Sequence, residues 1–438
     1  MMKRYIITTK VPGQKLDIKF LASIKTYMKK NKAELIVLST ECLDKDTWDS
    51  EAERELSAYQ VEKKRIGLND NLIIYNIKTD PKAADPSSGL DWLSNQIGSI
   101  IIPSPKQSLR SVPRQETELP RVLIGTGSVT RVTNSLNKTK RRILSEYHQT
   151  VGAVIVEVES RQIYHFRHVQ ADKNGEFCDL FKKYTPTKVV SVGAEALIPG
   201  DWHVGFTDPV VRSGILSILK NNKVKNLVLH DLADMISINP HTEHKLITKA
   251  MFKNMNSLEL EIVSVANELK VLSQLVDNVV VVKSNHDLFL DRWLDSGGFM
   301  KETENREIGL ELALEKVRGS DPLKYAVGKY QKLPNVRFLK EDESFLVSKK
   351  QFECGFHGHL GPNGARGTPQ AINKASGPLI MGHCHAPAIV NNTIVVGTST
   401  YLKVGYNKGP SSWMQTFCIV YPNGNFQLIN FVKGRYRI

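Results

Sequence analysis

The sequence predicts an α/β protein, and three observations lead there. Its opening alternates strand, helix and strand: Tyr5 to Thr9 is a short β-rich run, Leu16 to Lys30 has apolar residues at helical spacing, and Glu34 to Thr40 is a continuous apolar strand. Its second half holds three apolar strands: one running into Asp201-Trp202-His203, Lys225 to Leu229, and Asn278 to Val282. Helical segments separate these strands, notably Asn254 to Leu275. Continuous apolar strands joined by helices belong to buried, mostly parallel sheets.

The remaining elements follow in order. Leu72 to Ile77 and Ser99 to Ile102 read as further strands of the first half. Gly152 to Val158 and Ile163 to Val169 alternate apolar and polar residues around Glu159 to Arg161, the pattern of a hairpin. No glycine fingerprint lies between the first strand and helix, so a dinucleotide site has no support. After Pro186 the pattern changes, and the expected division is an N-terminal α/β unit over 1–193 and a second domain over 194–438. A length of 438 residues fits two cores better than one.

Composition narrows the class. Hydrophobic residues make up 41% and charged residues 24%, the balance of an ordinary globular protein. No apolar run reaches the ~18 residues of a membrane span, so no membrane association is expected. The start, MMKRYIITTK, enters a strand with no signal-like apolar region, and a cytoplasmic location is expected. Cysteines 42, 178, 354, 384 and 418 are scattered with no Cys-x-x-Cys, as in a reducing compartment.

A net charge of +14 favours a polyanionic partner. Between Lys106 and Arg142 nine Lys or Arg face two Glu, a net of +7. Two readings stand for this segment: a solvated face, or an arm contacting nucleic-acid phosphates.

The chemistry concentrates between Glu353 and Leu402. Four histidines, His357, His359, His383 and His385, form two His-x-His pairs among glycines. In extended chain, residues i and i+2 share a side, so His383 and His385 can converge on one site. Imidazole is the commonest metal ligand, which makes a metal centre the leading reading and a histidine-rich surface loop the competing one. Upstream, the three strands end in Asp201-x-His203, Asp231-x-x-Asp234 and Asn285-His286-Asp287. Polar groups at the carboxyl ends of such strands line the edge where α/β proteins build sites.

Together these motifs resemble the calcineurin-like metallophosphoesterases, whose series runs D-x-H, G-D-x-x-D, G-N-H-[ED], H and G-H-x-H. The match covers about Ala194 to the C-terminus, with five motifs in order. The resemblance implies a four-layer α/β/β/α sandwich for that domain. It also implies two divalent metal ions, manganese foremost, with magnesium, iron or zinc as alternatives. Asp201, His203 and His385 would hold one ion, and Asn285, His357 and His383 the other, with Asp231 bridging. His286 would stand near the scissile phosphate as acid or charge stabiliser, while Asp234 and Asp287 orient neighbouring ligands. A hydroxide activated by the metals would attack phosphorus in line.

Two residues depart from the pattern: His230 and Ser284 stand where the family has glycine. Neither is a ligand position, but a side chain at 230 either crowds the site or adds a phosphate donor. The choice between His357 and His359 as ligand stays open, the family pattern favouring the first. His241 and His244 are read as helix-start or surface residues, outside the site. Arg366, in the PNGARG turn after His357-Gly-His359, is either a bidentate phosphate clamp or a loop tie to a carboxylate.

The strings RYIITTK, FLASIKTY, ELIVLST, PNGARG and GPSSW resemble, more narrowly, a group of tailed-phage metallophosphoesterases. That group includes pre-early host-DNA-degradation proteins and has an SbcD-like nuclease core. This likeness implies a DNA nuclease working in the bacterial host cytoplasm, with a homo-oligomer compatible. The alternatives are a small-molecule phosphatase or nucleotidase on the same metals, and a non-catalytic nucleic-acid-binding host-takeover protein.

Overall fold

The computed structural model describes residues 2–42, 50–115, 118–132, 139–239, 256–404 and 407–438. His241 and His244 lie outside the described residues, as do Glu116, Lys138 and the side chain of Arg141 in the basic segment.

Period-two patterning in the second half sorts side chains onto two faces of one sheet. This six-stranded sheet runs in the order Val336–Phe338, Asn278–Val281, Val224–Leu229, Ala194–Ile198, Thr416–Val420, Phe426–Asn430. Its first four strands are parallel, and the last two join antiparallel. Leu197, Leu227, Leu229, Val279 and Val281 face one core, which they share with helices Pro209–Asn221, Leu258–Ser273 and Asp287–Asp295. Their neighbours Ala196, Ile198, Val228 and Val280 face the opposite core, against a second sheet.

That second sheet has ten strands and draws on both halves of the sequence. Its order is Leu346–Val347, Phe352–Glu353, Leu379–Met381, Thr393–Val395, Ala388–Val390, Gln107–Val112, Arg121–Thr126, Ser99–Ile102, Leu72–Tyr75, Arg65–Asn69. The junction pairs Ala388 with Arg110 and Ile389 with Leu109. Helices Asp91–Ile97 and Pro369–Ala375 cover its outer face. The layers are therefore helix, sheet, sheet, helix, and the sheet is continuous across the 193/194 division.

The opening strand–helix–strand forms as expected. Lys3–Lys10 pairs parallel with Glu34–Ser39 and antiparallel with Gly152–Val158, whose hairpin partner is Tyr164–Gln170. Helix Ile18–Asn31 packs Phe20, Leu21, Ile24 and Tyr27 against Ile6, Leu35 and Ile155. Asp17 caps it by accepting from the Phe20 amide, and Lys32 ends it in the left-handed region.

Where it is described, the basic segment is built into the fold. It contributes strands Gln107–Val112, Arg121–Thr126 and Thr130–Arg131, and six of its cations have partners within the protein. Lys106 donates to the Ala83 carbonyl, and Arg110 meets Asp85 and Asp91. Arg114 pairs with Glu118, Arg121 with the Ser94 carbonyl, Arg131 with Asp17, and Arg142 with Glu146. Among the described residues no helix is long and apolar enough to cross a membrane.

Candidate metal centre

The three adjacent parallel strands Ala194–Ile198, Val224–Leu229 and Asn278–Val281 deliver their motifs to one edge. Past the strand ends the chain stays laddered. The amides of Trp202, His203 and Val204 donate to the carbonyls of His230, Asp231 and Leu232 at 3.0, 2.7 and 2.9 Å. The same loop is tied to the second sheet, since the Asp201 amide reaches the Gly397 carbonyl and the Asp201 carbonyl accepts from the Ser399 amide. The fourth and fifth motifs enter from the second sheet, where the Gly382 amide donates to the His357 carbonyl.

Asp201, His203, Asp231 and His385 bring ligand atoms within 4.8 Å of one another, all buried. His203 Nε2 faces His385 Nε2 at 3.3 Å and Asp231 Oδ2 at 3.4 Å, while His385 Nε2 lies 3.0 Å from Asp201 Oδ2. A second set shares Asp231. His357 Nε2 is 3.1 Å from Asp231 Oδ2 and 2.9 Å from Asn285 Oδ1, and His383 Nδ1 is 3.0 Å from the same amide oxygen. One oxygen of Asp231 thus stands between two groups of donors.

The cluster asks for positive charge. Both Asp201 oxygens and Asp231 Oδ1 are buried with no aligned hydrogen-bond donor. Such carboxylates are costly unless a cation joins them. Burial alone would raise the Asp231 carboxyl, yet His357, His286 and His203 hold it well below the usual carboxylate range. Burial disfavours charge on His203, but Asp231, Asp234 and Asp201 offset that and raise it to about 9. Carboxylate oxygens, an amide oxygen and imidazole nitrogens form a mixed set that suits divalent first-row ions. These residues fit a metal.

Backbone strain accompanies the geometry. His203, Asp231, His383 and His385 all have left-handed φ, at 45°, 43°, 69° and 54°. Asp and His tolerate that region better than most side chains, but strained backbone of this kind costs on the order of 1–3 kcal/mol each. Gly382 has a different reason. A Cβ there would lie 2.1 Å from Asp201 Oδ1, so the Gly-His-x-His motif needs glycine for close approach.

Around the donors, the supporting residues divide. Asp234 Oδ1 holds His203 Nδ1 at 2.9 Å, fixing which nitrogen faces the cluster. His286 Nδ1 donates to the Asp234 carbonyl at 2.8 Å, and its ring meets the His203 ring edge-on at 4.6 Å. Asp287 does not orient an imidazole. Its Oδ2 accepts from the Ser284 amide and its own amide donates to Ser284 Oγ, so it closes the turn that starts helix Asp287–Asp295. Ser284, in place of glycine, supplies half of that exchange.

His357 is the member of its pair that enters the cluster. His359 stands behind it, with ring centroids 5.6 Å apart and neither nitrogen bonded. His230 is fully buried and its nitrogens are also unbonded, so it crowds the floor of the site and offers substrate no donor. Arg366 is exposed, has no carboxylate partner among the described residues, and is near enough to Cys384 for its charge to act on that thiol. Trp413, whose ring lies 4.1 Å from His385, had no spacing signal to mark it as a neighbour of the site.

No family model matches the chain. It is 28% identical over 468 residues to Protein A1 of Escherichia phage T5, a match covering 99% of this chain and 83% of that protein. The chain therefore has a phage protein among its relatives, and a buried His/Asp cluster that could hold a metal ion.

Proposed function

We propose that the chain is a metal-dependent phosphodiesterase, a nuclease degrading DNA in a phage-infected bacterial cytoplasm. The observation that carries this reading is the convergence of seven donor residues into two sets sharing Asp231: Asp201, His203 and His385 on one side, Asn285, His357 and His383 on the other. Divalent ions held there, manganese foremost, would polarise a phosphoryl group and lower the pKa of water. The likeness to a phage protein supports the setting.

The chain's own residues do the rest. The Asp234 carboxylate keeps a proton on His203 Nδ1, so Nε2, which faces the cluster, is the nitrogen that would give up its proton to a bound cation. His286 is fixed through Nδ1, so Nε2 is the atom that carries a proton to a leaving oxygen or steadies charge on phosphorus. Burial of Asp201, His203, Asp231 and His385 excludes bulk water, so charges there act at low dielectric. The left-handed loops hold this geometry before substrate arrives.

A second reading, a phosphatase for small phosphoesters, is favoured by one feature: Lys106, Arg110, Arg114, Arg131 and Arg142 of the basic segment are tied to the protein itself. One assay separates the two. Supercoiled and linear DNA, a chromogenic phosphodiester and a monoester are each incubated with manganese or magnesium. Cleavage of DNA and diester is expected, and turnover of the monoester alone would overturn the nuclease reading.

A further inference from the structure

Helix Asp287–Asp295 begins at His286, and a cleft of about 800 Å³ runs along it. Phe289, Arg292 and Trp293 form one wall, and Ser237 to Asn239, just downstream of Asp234, form another. The near end of the cleft adjoins the metal centre, since the Phe289 ring is 5.1 Å from that of His286.

Arg292 is exposed on this wall, and its guanidinium has no partner among the described residues. Apart from Glu304, which is exposed on the rim, the carboxylates around it are engaged elsewhere. Asp291 is held by Lys283 and Lys316, and Asp295 by Lys316. Glu302, on the rim, accepts from Trp293 Nε1 at 3.1 Å and Asn305 Nδ2 at 2.8 Å. Arg292 keeps its charge unneutralised, and that charge reaches the ring of His359, beside His357 and His383. Lys301, on the same rim, is exposed and likewise unpaired among the described residues.

We propose that this cleft carries the nucleotide next to the scissile bond and that Arg292 grips that nucleotide's outer phosphate. The inference rests on the phosphodiesterase reading above and extends it to a strand-binding subsite. A guanidinium presents two parallel N–H donors to a phosphate. The charges lining the cleft balance, Arg292 and Lys301 against Glu302 and Glu304, so the grip on phosphate falls to the Arg292 fork itself. The enzyme is thereby specific for strands over isolated diesters.

The test uses the full chain with manganese, a labelled single-stranded oligonucleotide and a chromogenic phosphodiester. The readout is the ratio of kcat/KM for the oligonucleotide to kcat/KM for the diester. Arg292→Ala is expected to lower that ratio about tenfold, mostly through KM, the size of one lost phosphate contact. Arg292→Lys should fall between, and the salt dependence of oligonucleotide KM should flatten by about one phosphate. A ratio equal to wild type overturns the subsite while leaving the nuclease reading intact. Proportional losses on both substrates with a lower Tm also overturn it, because Arg292 would then only support its helix. If wild-type protein cleaves the monoester alone, the phosphodiesterase reading fails and takes this subsite with it.

Discussion

Asp234 holds two histidines by different atoms. Its carboxylate Oδ1 lies 2.9 Å from His203 Nδ1, and its backbone carbonyl accepts from His286 Nδ1 at 2.8 Å. One residue therefore sets an imidazole that faces the Asp201–Asp231 cluster and the imidazole nearest the cleft.

Asp234 Oδ1 also lies 3.5 Å from His286 Nδ1, so Asp234→Ala takes the carboxylate from both rings but leaves His286 its bond to the Asp234 carbonyl. Metal affinity should fall about 10–100-fold as His203 loses its orienting partner. Titration of metal-free protein with manganese measures this, and an unchanged affinity would show that His203 needs no such support.

Asp231→Asn and His385→Ala should each abolish metal-dependent hydrolysis, one weakening the shared carboxylate and the other deleting a donor. His286→Ala should retain its metal while turnover drops about 10²-fold or more, the scale of a lost acid–base group. Elemental analysis of the three purified variants decides it. Metal-free His286→Ala protein would contradict its assigned role.

Arg366→Lys keeps the charge but loses the fork. DNA cleavage should weaken, with Tm and metal content unchanged, if the side chain clamps a phosphate beside the scissile one. A lowered Tm together with weaker cleavage of a small diester would instead mark a loop tie. Undiminished DNA cleavage would remove Arg366 from the site.

Glu261 offers a pH test of stability. Burial pushes its carboxyl up to about 7, although Ser237 Oγ and the amides of Ile236 and Ser237 donate to it. A group raised on folding stabilises fully below its unfolded value of about 4.5, and that contribution is lost as pH rises through 7. Glu261→Gln keeps a neutral acceptor and should remove this slope. Its Tm should match wild type near pH 4 and exceed it at pH 8, by an amount equivalent to roughly 3 kcal/mol. Equal Tm values at both pH values would refute the assignment.

Much of this was legible before the structure. Apolar runs such as Asn278 to Val282 mark strands because both faces are buried, and polar clusters at their ends mark the edge where a site forms. The family pattern favoured His357 over His359, but the spacing carried no physical reason for it; between the two the chain turns at Gly358, with φ 104°. Asp287 was misread because its partner, Ser284, is a backbone neighbour in a turn that motif spacing does not reveal. The setting of the cations between Lys106 and Arg142 was not legible for a related reason. Local charge count is blind to partners such as Asp17 and Asp85, which come from other elements.

The junction between Gln107–Val112 and Ala388–Val390 has a consequence for how the chain can be cut. The second of these strands follows His385 by only two residues, and on its far side it pairs with Thr393–Val395. A fragment starting at residue 194 would keep all seven donors, yet strand Ala388–Val390, just after His385, would become a bare sheet edge. Such edges recruit other chains and fray. Minimal versions made by trimming the first half should therefore aggregate or lose their grip on His385, although no residue removed is a metal donor. On this account the first half braces the centre through the Ala388–Arg110 and Ile389–Leu109 pairs.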